Sequence, residues 1–267
     1  MKAILKLTLG VLLASTGLAS ADTLEKIAAA GKIVVGVKND YRPWGYLDAS
    51  GNIVGLEIDL AKDIASRLGV EVELVPVVAS NRMEFLQQGR IDLIIATLGD
   101  NPQRREVVGM VEPNYYAGGA NVLAPKANGL KEWTDLEGKD LCAIQGSYYI
   151  RETTQKYKAN ILAFAGVPEA TAALTNGSCV GLLYDNTWIE SQLASEGSWA
   201  DYEMPFVTEQ LQPWAIAVPL AELDGPYGLK ISEIITDWHK TGYLIEANAA
   251  NGIAASPFLE EQHEKFK

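Results

Sequence analysis

Gly55-Leu56-Glu57-Ile58-Asp59-Leu60-Ala61-Lys62-Asp63-Ile64-Ala65 is the stretch on which the reading of the fold turns. Leu60, Ile64 and Leu68 recur at helical spacing, Glu57 and Asp59 stand where the positive end of a helix dipole welcomes acids, and Gly69 offers a left-handed stop. Alone, this pattern predicts a helix and nothing more.

Outward from it, short apolar runs alternate with helical patterns, the signature of parallel sheets covered by helices. The runs are Ile33 to Val37, Val70 to Val78, Ile91 to Thr97, Leu141 to Ile144, Cys179 to Tyr184 and Ala215 to Val218. Glycine stops follow helical segments at Gly89 and Gly177, and Pro168 marks a helix start. From Lys126 to Asp140 a turn-rich stretch precedes a fresh strand, glycine and helix pattern, so a second domain opens there.

Lys2 and Lys6 flank a short basic start, Leu7 to Leu18 is mainly apolar, and Ala19-Ser20-Ala21 has the small-x-small form of a cleavage site. Residues 1–21 therefore read as a signal peptide. A membrane anchor needs about 20 apolar residues, and this core is shorter. Its removal leaves 246 residues with 20 basic and 34 acidic side chains, a net charge of −14. Such a surface argues against nucleic acid and anionic membranes as partners, without fixing the sign of charge inside a cleft. In an exported chain Cys142 and Cys179, in or beside two predicted neighbouring strands, suit a disulfide. The alternative is two small buried thiols.

Open parallel sheets bind ligands outside the carboxyl ends of their strands. Here those ends are polar: Lys38, then Thr97-Leu98-Gly99, then Gln145-Gly146-Ser147, then Asp185. Singly each reads as a solvated loop residue. Two from each half of the chain point to a cleft between lobes.

The glycine, bulky apolar residue and acid-apolar-acid-apolar run at 55–60 resembles the first-lobe segment of the amino-acid-binding proteins of bacterial ABC importers, and the resemblance extends from about Leu24 to Lys265. It implies an α/β, two-lobed periplasmic-binding-protein fold of type II, with two parallel or mixed sheets, flanking helices and a ligand cleft. Lobe 1 is then 22–118 and 215–267, and lobe 2 is 119–214. The return of the chain to lobe 1 after Gln212-Pro213-Trp214 comes from the resemblance alone.

It also implies roles. In Ala96-Thr97-Leu98-Gly99-Asp100-Asn101-Pro102-Gln103-Arg104 the arginine clamps a ligand's α-carboxylate, with Thr97 and the Gly99 N–H adding donors. Arg105 is the neighbouring alternative. The family often carries hydroxyl residues where this chain has Gly99 and Asn101, so donors there come from the backbone. Gly146-Ser147-Tyr148 resembles a turn that opens a helix toward the same carboxylate, and Asp185 matches the acceptor of the α-ammonium.

Lys38 stands where binders of cationic amino acids carry an acid, and Asn81-Arg82 resembles the pair of aspartate and glutamate binders. Lys38 and Arg82 would share a second carboxylate; the alternative is solvent or pairing with Glu84 or Asp40. Tyr41 would cover the ligand's aliphatic part, while Trp44 and Trp214 read as well as packing. His239 and His263 are the two histidines, and no nucleophile elbow, phosphate loop or zinc-ligand spacing occurs. The resemblance thus implies a monomeric, cofactor-free and metal-free binder in the periplasm, not an enzyme, that hands glutamate or aspartate to a membrane permease. An opine or amide ligand, or a dehydratase on the same fold, is the alternative.

Overall fold

The computed structural model describes residues 23–195 and 197–267, so the signal-peptide segment 1–21 lies outside the described residues. Helix α1 (Thr23–Ala30) leads into β1 (Lys32–Val37) and a small antiparallel sheet of β2 (Asp40–Tyr41), β3 (Gly45–Leu47) and β4 (Ile53–Val54). Next come α2 (Leu56–Leu68), β5 (Glu71–Pro76), α3 (Arg82–Gln87), β6 (Leu93–Ile95), the single turn α4 (Pro102–Arg105) and the long strand β7 (Gly109–Pro125). The following segment holds β8 (Asp140–Ile144), α5 (Ile150–Tyr157), β9 (Asn160–Phe164), α6 (Val167–Thr175), β10 (Gly181–Asp185), α7 (Asn186–Ala194) and β11 (Tyr202–Glu203). Strand β12 (Glu209–Val218) and helices α8 (Pro226–Thr241), α9 (Tyr243–Ala250) and α10 (Pro257–Phe266) complete the chain.

Helix α2 forms as its sequence predicts, and its first turn is completed by the small sheet. Leu56 and Glu57 donate their N–H groups to the carbonyls of Pro43 and Trp44 at 3.1 and 2.8 Å. Gly55 permits this approach: its φ is +126°, and a Cβ there would lie 2.4 Å from the Pro43 oxygen. Gly69 closes the helix in the left-handed region at φ +70°. Leu60 and Ile64 are fully buried, each contributing about 1.5 to 3 kcal/mol of transfer free energy.

The main sheet runs β5-β1-β6-β12-β7-β10-β8-β9. The β5-β1-β6 half and the β10-β8-β9 half are each parallel, and antiparallel β12 and β7 lie between them. Both middle strands serve both lobes. In β7, Gly109 to Val111 pair with Val218 to Ile216, Ala117 and Gly118 with Pro213 and Gln212, and Ala120 to Leu123 with β10. The two half-sheets are thus joined in one continuous ladder, which the run pattern did not contain: the 17-residue β7 includes Pro113 and Gly118-Gly119, residue types that usually weaken a strand interior.

The C-terminal helices pack against elements of the first half. Trp238 Nε1 donates to Asp63 at 2.6 Å, Arg67 pairs with Asp237 at 2.7 Å, and Tyr227 OH donates to the Asp92 carbonyl at 3.1 Å. Cys142 in β8 and Cys179 just before β10 form a disulfide, with Cα atoms 5.7 Å apart on neighbouring strands. The thiol alternative is excluded. Closing a separation of 37 residues contributes about 4 kcal/mol in the chain-entropy account.

Candidate functional site

The carboxyl ends of β1, β6, β8 and β10 converge, and the lobes touch there through several polar contacts. Tyr41 OH donates to Asp185 Oδ2 at 3.0 Å and lies 3.1 Å from Thr187 Oγ1. Asp40 Oδ2 accepts the Val167 N–H at 3.1 Å, and Ser191 Oγ donates to the Arg42 carbonyl at 3.2 Å. Arg104 bridges the lobes, donating from Nη1 to Gly99 O at 2.8 Å and from Nη2 to Gly146 O at 2.9 Å. Gly146, at φ +89°, lies so near Ala79 and Ser80 that a Cβ would come within 2.8 Å of their backbone.

Three cations are buried in this region: Lys38, Arg82 and Arg104. Lys38 Nζ lies 2.7 Å from Asp40 Oδ1 in an ion pair whose angles depart from hydrogen-bond geometry, so the ammonium donors remain without an aligned acceptor among the described residues. Of the two partners expected for a paired Lys38, Asp40 is the one it has, while Glu84 accepts from Gln88. Arg82 donates to the Ala96 carbonyl and its Nε has no partner among the described residues. Both guanidiniums direct their hydrogen bonds to backbone carbonyls, and neither forms an ion pair among the described residues. Burial lowers the pKa of Arg82, and burial followed by the charge of Arg82 brings Arg104 down to about 9.

Arg105, the alternative to Arg104, points outward and pairs with Asp100 at 2.6 Å and Glu112 at 2.5 Å. Asn101 caps the one-turn α4 by accepting the Arg104 N–H at 3.0 Å, and the two adjacent arginines leave that turn in different directions.

Asp185 is the acidic counterpart. Burial pushes its carboxyl up to about 6, while the Tyr41 hydroxyl and the charges of Arg82, Lys38 and Arg104 hold it from rising further. Thr97 adopts φ +48°, rare for a β-branched residue, and its N–H donates to Glu57 Oε1 at 2.7 Å. Leu98 O and Asp100 N–H pair with Ala215 and Pro213 of β12, which leaves the N–H of Gly99 on the opposite edge. Tyr148 OH donates to the Gln210 carbonyl at 2.8 Å, and its ring lies 5.9 Å from the Arg104 guanidinium.

One expectation needs correction. The turn at Gly146-Ser147-Tyr148 does not open a helix directly: α5 starts at Ile150, and the Ser147 N–H is already donated to Ile144 O at 3.1 Å. Its hydroxyl, not its N–H, is what Ser147 has to offer. Glu57 is a first-turn acid of α2, as its position predicts, and it is also fully buried, where it takes donors from Thr97 and Tyr115. Nothing in the helical pattern distinguishes it from Asp59, since both suit a first turn; only burial under the small sheet does. Gln212 is also absent from the expected set. Its Oε1 has no partner among the described residues and lies 3.1 Å from where a Gly99 Cβ would stand. Trp44 and Trp214 are fully buried packing residues in an aromatic cluster with Tyr41 and Tyr116.

A cavity of about 1160 Å³ beside the crossing strands, lined by Trp44, Tyr116, Leu211, Pro213 and Phe258 among others, includes none of the three cations or Asp185. The charged convergence, not that apolar cavity, is the candidate site. Among the described residues no helix is long and apolar enough to cross a membrane.

Comparison with known proteins accords with this architecture. The ABC transporter glutamine-binding protein GlnH of Bacillus subtilis is 33% identical over 203 residues, 74% of this chain and 73% of that protein. A glutamate/aspartate import solute-binding protein of Escherichia coli is 26% identical over 200 residues, 67% of this chain and 66% of that protein. The solved cysteine-binding protein from Campylobacter jejuni superposes with a TM-score of 0.78 at 30% identity, covering 85% of this chain and 92% of that one. Residues 33–246 match the family model directly, and the chain belongs to the bacterial extracellular solute-binding proteins, family 3.

Proposed function

We propose that this protein is the periplasmic, monomeric binding component of an ABC importer, that it closes two lobes on an acidic amino acid, glutamate or aspartate, and that it delivers this ligand to a membrane permease without altering it chemically. The observation that carries the reading is the pair of buried guanidiniums, Arg82 and Arg104, that have no ion pair among the described residues. A buried cation without a counter-charge is costly, and a ligand with two carboxylates supplies one for each.

In this reading lobe 1 is 22–118 with 215–267 and lobe 2 is 119–214. Arg104, the Gly99 N–H and Thr97 hold the α-carboxylate, and Asp185 with the Ser147 hydroxyl faces the α-ammonium side. Arg82 and Lys38 take the second carboxylate, with Gly146 and Tyr148 at the lobe contact and Tyr41 over the aliphatic part. Contacts from both lobes favour the closed form over the open one, which is the form a permease would recognise.

An amide ligand is the second reading. Asp40 neutralises Lys38 at 2.7 Å, which reduces the positive charge left for a second carboxylate, and relatives named for glutamine binding stand beside those named for glutamate and aspartate. Isothermal titration of ligand-stripped protein with L-glutamate, L-aspartate, L-glutamine, L-arginine and a neutral amino acid separates the two. Micromolar or tighter binding of the acidic pair, with the rest much weaker, supports the acidic reading. Preference for glutamine overturns it in favour of the amide, and silence across the panel points to a modified amino acid, an opine or a dehydratase substrate.

A further inference from the structure

The peptide group between Ala96 and Thr97 is held from both sides by buried charges. Its carbonyl accepts from Arg82 Nη1, and its N–H donates to Glu57 Oε1 at 2.7 Å. A trans peptide points these two groups in opposite directions, so cation and anion pull along one dipole and each strengthens the other's hydrogen bond. Tyr115 OH donates to the same Glu57 oxygen, while Oε2 has no partner among the described residues. Thr97 stays in its left-handed conformation under this constraint, although its side chain is β-branched.

We infer that Glu57 is a positioning residue of the cleft, clamping the Ala96–Thr97 peptide against Arg82 and so fixing both the Arg82 guanidinium and the turn that carries Thr97 and Gly99. The inference rests on the proposed binding function, but not on the ligand being acidic. Glu57 is fully buried and stands behind the cleft wall on α2, so it acts through Arg82 and Thr97 and does not touch ligand. The groups bearing on it come from four elements: Tyr115 of β7, Thr97 after β6, Arg82 of α3 and Lys38 after β1.

A double-mutant cycle tests this. Glu57→Gln keeps an acceptor oxygen for the Thr97 N–H and removes the charge. With Arg82 in place it should weaken binding of the tightest amino acid of the titration panel at least fivefold, and in an Arg82→Ala background less than twofold. Equal losses in both backgrounds, or none in either, overturn the inference. Should Glu57→Gln fail to fold, the wild-type protein supplies a second readout. The Thr97 amide proton, bonded to a carboxylate that burial pushes up to about 7, should resonate downfield and shift between pH 6 and 8. An ordinary, unmoving Thr97 amide overturns the inference. The cycle uses whichever amino acid wild type binds, so a preference for glutamine sinks the acidic reading and leaves the test of Glu57 intact.

Discussion

The two lobes contribute unequally to the cleft. The first supplies all three buried cations and the Glu57 carboxylate, held by strand ends and by the one-turn α4. The second brings one buried carboxylate, Asp185, together with backbone acceptors such as Gly146 O and a rigid frame closed by the Cys142–Cys179 bridge. The difference teaches a division of labour. On the proposed function, charge selection is concentrated in one lobe, and the other supplies an ammonium acceptor and the contacts that hold closure. Recognising opposite charges from opposite lobes makes closure depend on a ligand that carries both.

The comparison can be sharpened by disturbing one lobe at a time. Replacing Cys142 and Cys179 together by serine should lower global stability by up to about 4 kcal/mol in chemical denaturation, while the ranking of ligands in titration stays unchanged. A changed ranking would mean that the second lobe takes part in charge selection.

Arg82→Ala should weaken an acidic amino acid by about 1.5 to 3 kcal/mol, roughly 10- to 150-fold, and its amide far less. Equal loss for both would break the assignment of charge selection to this side chain.

The Asp185 carboxyl, raised to about 6, must be ionised to accept an ammonium. Protonating it below that value removes the acceptor, so affinity should fall by about fivefold between pH 6 and pH 5. Asp185→Asn should bind weakly and flatten this limb. A fall of affinity that persists unchanged in Asp185→Asn would remove Asp185 from the ammonium site.

Tyr41→Phe deletes the hydroxyl that joins Asp185 and Thr187 across the cleft. About 1 kcal/mol is expected, a fivefold weakening of every ligand alike, with a shift toward the open form in small-angle scattering. A selective loss for one ligand would show that the hydroxyl reads the side chain, not closure.

Much of the fold was legible because its signals are local. The α2 periodicity with its glycine stop, the alternation of apolar runs with helical segments, and the polar residues just past the strand ends each lie within a short window, and each corresponds to an element of the structure. Pairing of Cys142 with Cys179 was legible as far as two neighbouring strands were. Strand β9 was missed although Ile161 to Phe164 is an apolar run as long as Leu141 to Ile144; it lies at the sheet edge, where its residues are exposed or only half-buried. The choice of Arg104 over Arg105 rested on resemblance, and what separates them, Arg104 reaching Gly99 O and Gly146 O while Arg105 pairs with Asp100 and Glu112, is visible only in three dimensions.

What the sequence determined by itself, then, is the class of fold, the helix at 56–68 and the set of polar strand ends, since side-chain periodicity and turn chemistry act over a few residues. What only the tertiary structure decided is which of those polar groups meet: Lys38 with Asp40, Tyr41 with Asp185, Arg104 with Gly146, and Glu57 beneath Thr97. Those partners lie on separate elements, and β7 and β12 bring them together by running through both lobes. The energetic value of each charge depends on burial and counter-charge, which are properties of the assembled fold and not of any window of the chain.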